Sequence, residues 1–314
     1  MKKVLVLEGG YNEEHEISLR TAKEIKKILK KLHIDFKSLL VNPETFNKDI
    51  KNFSNNYICL NALHGPFGED GKIQKILKKN NFKMTHSGIL SSKNCFNKIK
   101  SKEIIRKLNI PTPNYIEVKT KDLNIPLLKD IKKKLNKFVL KPNKSGSSFG
   151  IQIVKNDKQF RDFLNQFEDY KKIINNHETL IFEKYIYGKE LTVSVLNQKN
   201  KIFSLDVTEI ITNNKYFDYK AKYTKGFAKH ILPAKISKKN YKKCLKYALQ
   251  AHHALKCNSL SRSDFLYSVI ENKIYYLETN TQPGLTKLSL VPEQAKFNNI
   301  SFEKIILELL INSI

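Results

Sequence analysis

Apolar residues fall in two rhythms along the first part of the chain. Lys3 to Leu7 is a short continuous apolar run closed by Gly9-Gly10, the pattern of a buried strand and its turn. Ser18 to Leu32 then spaces its apolar residues as one face of a helix, with Ser18 as the expected N-cap. Tyr57 to Leu63 reads as a second strand, running into the loop His64-Gly65-Pro66-Phe67-Gly68-Glu69-Asp70-Gly71, and Ile73 to Lys79 is again helical. Strands alternating with helices predict a mostly parallel α/β domain, whose ligand loops gather at the carboxyl ends of the strands. Both glycine-rich loops lie at such ends.

The pattern changes near Ser91. Asn97 to Leu108 reads as a basic helix, stopped by Pro111-Thr112-Pro113. Phe138 to Lys141 and Ile151 to Val154 are strands flanking a Gly/Ser tip, a hairpin pattern. Thr179 to Lys184 and Leu191 to Leu196 are further strands. Phe265 to Ile270 and Lys273 to Glu278 form a late hairpin around Glu271-Asn272, and Phe302 to Ile311 is a closing helix. There is no internal repeat and no low-complexity tail.

Composition narrows this picture. A chain of 314 residues suits two or three domains, and 40% hydrophobic residues suffice for their cores. No apolar run is long enough for a transmembrane helix, and the basic start leads into a strand rather than a signal peptide. The four cysteines make no CxxC pair, which favours reduced thiols in a cytoplasmic protein over a zinc site. The net charge of +27 raises nucleic-acid binding as a function. The lysines, however, are spread over every segment and arginine is scarce, so no nucleic-acid partner is expected; the charge suits an anionic substrate.

Four patches carry candidate chemistry. The hairpin tip Asn143-Lys144-Ser145-Gly146-Ser147-Ser148-Phe149-Gly150 offers backbone N–H groups and hydroxyls to phosphate oxygens. Lys141 just before it and Lys98 upstream supply positive charge, although the loop lacks the GxxxxGK[ST] spacing. Arg262-Ser263-Asp264 and Glu278-Thr279-Asn280 lie on neighbouring strands. Alternation puts Arg262 with Asp264 on one face and Glu278 with Asn280 on one face, so pairing would assemble hard oxygen ligands suited to magnesium. Glu13-Glu14-His15-Glu16 follows the first strand, where acidic residues also serve simply to favour a helix start. Phe217 to Tyr223 is polar, aromatic and basic, as in a lid or a solvated loop.

Taken in order, these patches resemble the D-alanine–D-alanine ligase family of the ATP-grasp superfamily. Gly9-Gly10 through Ser18 is similar to the family's opening motif, His64 to Gly71 to its HG..GEDG segment, and Ser145 to Gly150 to its GSS.G loop. Phe217 to Tyr223 resembles its lid motif. Arg262 to Asp264, then Glu278 to Thr286, resemble RxD and E.NT.PGMT, and Ser289 to Pro292 resembles SL.P. The resemblance spans nearly the whole chain. It implies an α/β protein, α+β in its ATP-grasp part: a substrate domain over residues 1–90, a central lobe over 91–182, and a C-terminal lobe with the metal site over 183–314. It implies an ATP-dependent ligase that forms D-alanyl-D-alanine through D-alanyl phosphate for peptidoglycan precursors, with two Mg2+ or Mn2+ ions. The family is usually dimeric.

The resemblance also implies roles. Glu14 and His64 would hold the first D-alanine, and Lys98, Lys141, Ser147, Ser148 and Lys222 the ATP phosphates. Glu183, Lys184 and Ile186 would lie at the adenine and Glu190 at the ribose. Ser147 and Tyr223 would link with Glu14 to close the lid. Asp264, Glu278 and Asn280 would bind the metals and Arg262 the oxyanion. Ser289, with Gly284 and Leu290, would hold the second substrate. The chain departs from the family at Asn97, Lys220, Thr279 and His86. Rival readings are a ligase taking D-lactate or D-serine second, another ATP-grasp ligase, or a basic nucleic-acid-binding protein.

Overall fold

The computed structural model describes residues 3–146, 149–212 and 228–314. Among them the strands form three sheets. The first is wholly parallel, in the order β2 (Phe36–Val41), β1 (Lys3–Gly9), β3 (Tyr57–Asn61), β4 (Lys83–Met84). Its central strand shows why the apolar run is continuous. Val4 and Val6 point into one core with Ala22, Ile25 and Leu29 of helix His15–Lys31. Leu5 and Leu7 point into another with Phe46, Ile73 and Leu77. A strand buried on both faces needs apolar residues at every position.

The expected cap at Ser18 is corrected. The helix starts at His15, with Glu14 at its N-cap position, and Ser18 is buried inside it. The Ser18 hydroxyl accepts the Gly9 N–H at 2.8 Å, so it ties helix to strand end. Gly9 and Gly10 take φ of +93° and +83°, which other residues adopt at a cost, and this turns the chain sharply above β1.

The second sheet is antiparallel: β5 (Tyr115–Lys119), β8 (Thr179–Lys184), β6 (Phe138–Pro142), β7 (Gln152–Val154). A phenylalanine-rich core of Phe138, Phe160, Phe163, Phe167 and Phe182 lies beneath it. The third sheet runs β11 (Ala228–Ile231), β10 (Lys201–Thr212), β9 (Lys189–Gln198), β12 (Leu260–Ser268), β13 (Lys273–Asn280), all antiparallel. The β12–β13 hairpin extends further than its apolar pattern suggests and takes in Arg262 and Asn280.

Helices Ile89–Phe96 and Lys98–Arg106 pack on β13 of this third sheet. The closing helix Phe302–Ile311 packs on helix His15–Lys31, and Ile305, Ile306 and Leu309 share the core of Val4 and Val6. Met84 and Ile314 exchange both backbone hydrogen bonds, at 2.8 and 3.0 Å. Ile314, beyond the closing helix, is thus fastened to the edge strand of the first sheet. Among the described residues, no helix is long and apolar enough to cross a membrane. The four cysteines are free thiols and buried.

Candidate active site

The β12–β13 register sets Asp264 opposite Glu278 and Arg262 opposite Asn280. Ser263 and Thr279, between them, face the other way and join hydroxyls at 2.8 Å in the interior. Alternation therefore assembles the predicted patch. Asp264 accepts the Thr192 hydroxyl at 2.6 Å and a two-point contact from Arg262. The Asn280 side-chain oxygen accepts the Gln282 N–H at 2.6 Å. A register shift follows Asp264, so the strand twists away immediately beyond the patch.

Lysines face this patch. Helix Lys98–Arg106 is capped by Asn97, whose side chain accepts the Lys100 N–H at 2.9 Å. Lys98 opens the helix; its ammonium donates to the Ser145 carbonyl at 2.6 Å and lies 3.5 Å from Glu278. Lys141, near the end of β6, lies 2.9 Å from Glu183 of β8, and the other oxygen of Glu183 lies 2.9 Å from Lys102. Lys102 is buried completely and donates to the Leu277 carbonyl at 2.6 Å. Burial pushes its pKa down to about 8 against the attraction of Glu183. Burial opposes ionisation of Glu183 as well, but the two ammoniums win and its pKa is lowered. Lys98 is lowered by burial, against the pull of Glu278.

Two cavities meet here. The larger lies between the second and third sheets. Val139, Phe149, Ile151 and Ile153 wall one side, Leu191, Ile210, Phe265 and Leu266 the other, with Lys184 at the end of β8, Ile186 on the connection and Glu190 near the start of β9. The smaller is polar and is lined by Glu14, His64, Glu69, Arg262, Asn280 and Gly284. Lys98, Ser145, Gly146 and Glu278 line both, so the cavities join beside the carboxylate patch. At the smaller cavity Glu14 sits against two glycines. A Cβ on Gly146 would stand 2.7 Å from its carboxylate oxygen, and one on Gly65 would be closer still. His64 shares a hydrogen bond with the Thr21 hydroxyl at 2.9 Å and lies 3.6 Å from Glu69.

Not every expected residue meets the cavities in the expected way. Ser289 lies behind Gly284, where a Cβ would stand 2.8 Å from its hydroxyl, and it bonds Thr286 at 2.9 Å. Leu290 is buried at the start of helix Leu290–Phe297. The Glu183 carboxylate is turned onto its two lysines, and the Lys184 N–H is taken by the Asn114 carbonyl at 2.7 Å. Ser147, Ser148, Lys222 and Tyr223, with the expected lid, lie outside the described residues. Sequence reasoning missed Lys102, Glu69 and Gln282. Gln282 accepts from the Asn61 amide at 2.7 Å and donates to the Leu63 carbonyl at 2.6 Å, joining the continuation of β13 to the first sheet. Glu69 and Gln282 stand inside the quoted motifs. Lys102 stands one turn beyond Lys98, but the helix carries several lysines and nothing in the sequence singles it out.

The family model "D-ala D-ala ligase C-terminus" matches residues 104–311. A D-alanine–D-alanine ligase of Wolbachia pipientis wMel is 40% identical over 308 residues, covering 96% of this chain and 91% of the relative. The chain belongs to the D-alanine–D-alanine ligase family. Its architecture is accordingly the ATP-grasp fold, the two antiparallel sheets enclosing the larger cleft. A D-alanine–D-alanine ligase from Bacillus anthracis, solved in complex with ATP, superposes with a TM-score of 0.79 at 28% identity, covering 99% of this chain and 96% of that one. A D-Ala:D-Ser ligase from Enterococcus faecalis superposes with a TM-score of 0.78 at 25% identity, covering 98% of both chains.

Departures from the family pattern now have physical readings. Asn97, in place of the usual Asp, keeps the capping acceptor and drops its charge. Thr279, in place of Ala or Val, faces away from the carboxylate patch and bonds Ser263 and the Tyr276 hydroxyl. His86 is buried at φ +65°, bonded to Thr85 through Nδ1 at 2.9 Å, while its Nε2 has no hydrogen-bond partner among the described residues. Lys220 lies outside the described residues.

Proposed function

We propose that the protein uses ATP to join two D-alanines, releasing ADP, phosphate and D-alanyl-D-alanine, in the cytoplasm and as a homodimer. The observation that carries this reading is the junction at Lys98, Gly146 and Glu278. An apolar-walled cleft sized for a nucleotide base opens there onto a polar cavity shaped by Glu14, His64 and Arg262. The domain division expected from the sequence, 1–90, 91–182 and 183–314, is proposed with it.

Each group has a task. Glu14 holds the ammonium of the first D-alanine and His64 helps position it. Lys98 and Lys141 neutralise phosphate charge, and Glu190 holds the ribose. Asp264, Glu278 and Asn280 are hard oxygen donors at one end of the cleft and fit magnesium or manganese. When bound, such ions offset charge on the transferring phosphoryl group.

The carboxylate of the first D-alanine takes the phosphoryl group and becomes an acyl phosphate. The neutral amine of the second D-alanine then attacks the acyl carbon, and phosphate leaves. Arg262 lines the polar cavity and is the donor for the oxyanion. Ser289, through Gly284 and with Leu290, positions the second carboxylate. Water must be kept from the acyl phosphate, the task assigned to Ser147, Lys222 and Tyr223. Phosphate release should be measured with ATP, magnesium and a panel of D-alanine, D-serine and D-lactate. Release with D-alanine alone is expected. The likeness to a D-Ala:D-Ser ligase makes D-serine the rival second substrate, and preference for D-serine or D-lactate over D-alanine would overturn the assignment.

A further inference from the structure

We propose that Lys102 is a positioning residue for the nucleotide, holding Glu183 so that Lys141 can turn its charge toward phosphate. The proposal rests on the reading of the larger cleft as an ATP site. Lys102 is on the same helical face as Lys98, one turn further along. Lys98 reaches the cleft, whereas Lys102 is fully buried beneath it. Full burial of an ammonium is costly unless it is paired. Lys102 meets that cost by reaching two other elements: the Leu277 carbonyl of β13 at 2.6 Å and Glu183 of β8 at 2.9 Å. Leu277 immediately precedes Glu278, so one side chain joins the phosphate-lysine cluster to the metal strand.

Charge counting gives the consequence. Lys102, Glu183 and Lys141 together carry one net positive charge at the wall of the cleft. Glu183 divides its attraction between two ammoniums, each 2.9 Å from a different oxygen. Without Lys102, Glu183 and Lys141 close on one another as a neutral pair. An incoming phosphate must then separate that pair, with one positive charge fewer to draw it in. A residue that only filled space would leave no such dependence on charge.

The test is ATP affinity by calorimetry for wild type, Lys102→Met, Glu183→Gln and the double variant, with thermal unfolding run alongside. Lys102→Met should weaken ATP binding about tenfold or more, the size of one lost charged contact. KM for D-alanine should hold within about twofold, on the same scale. The double variant restores the single net charge and should recover most of the affinity. Glu183→Gln alone should bind ATP at least as tightly as wild type, and it tests the proposal even where Lys102→Met does not fold. Normal ATP binding by Lys102→Met, no recovery in the double variant, or weakened binding by Glu183→Gln would overturn the proposal. A wild type that binds no ATP would instead sink the nucleotide reading.

Discussion

Arg262 grips Asp264 at two points, Nε to Oδ1 at 2.9 Å and Nη2 to Oδ2 at 2.8 Å. The donor assigned to the oxyanion therefore rests on a carboxylate assigned to the metal. On the proposed assignment the two groups compete for one another's charge. Arg262→Met should cut turnover by about 100-fold or more, as loss of one oxyanion donor does. Metal binding should not weaken, because Asp264 loses a competitor. Manganese titration followed by electron paramagnetic resonance, in the presence of ADP, separates the two effects. Weaker manganese binding would mean that Arg262 builds the metal site rather than competing for it.

Glu278 stands directly across the hairpin from Asp264 and 3.5 Å from Lys98. Glu278→Gln keeps the shape and removes the charge. We expect turnover to fall by at least about 100-fold, with the magnesium requirement moved to higher concentration. Near-normal turnover at modest magnesium would remove Glu278 from the ligand set.

Local pattern was sufficient where each residue's neighbours along the chain decide its environment. The alternation of Arg262, Asp264, Glu278 and Asn280 needed only a hairpin, and β12–β13 supplies it. Lys3 to Leu7 read as a buried strand because no polar residue interrupts Val4 to Leu7, and the structure buries those four on both faces. Local pattern failed where a distant partner decides. Ser18 looks like a cap, but Gly9, across a turn, claims its hydroxyl. Lys102 looks like one more lysine in a lysine-rich helix; only the fold brings Glu183 and Leu277 to it. The closing helix carries an apolar face, yet nothing in that face says it packs on helix His15–Lys31 and shares the core of Val4 and Val6.

The closeness of Gly146 to Glu14 gives a third expectation. A methyl group on Gly146 would stand 2.7 Å from the Glu14 carboxylate and 3.5 Å from the Gly65 Cα. The Gly65 contact is an ordinary one, but the 2.7 Å approach has to displace the Glu14 carboxylate, the group proposed to hold the first D-alanine. Gly146→Ala should raise the KM for the first D-alanine about tenfold, a shift of about 1.4 kcal/mol, with folding stability changed little. An unchanged KM would show that Glu14 does not act from this position.

Two histidines make stability depend on pH. Burial drives the pKa of His86 down to about 3, helped by the nearby His64, and that of His252 down to about 4, helped by His253. His252 shares hydrogen bonds with Ser261 at 2.8 Å and with the Asn258 carbonyl at 3.0 Å, a setting that suits the neutral ring. In the unfolded chain both rings titrate near 6.5. Between that value and the folded ones the unfolded state binds more protons, so stability is lost as pH falls below about 6.5. By pH 5 each ring contributes a loss of about 2 kcal/mol, an order-of-magnitude figure. Urea unfolding at pH 7 and pH 5 should show this loss in the wild type. His252→Asn, which keeps polar atoms near Ser261 and does not titrate, should start less stable at pH 7 but lose about 2 kcal/mol less on acidification. Equal acid sensitivity in the two proteins would mean that His252 takes up its proton within the folded state without penalty.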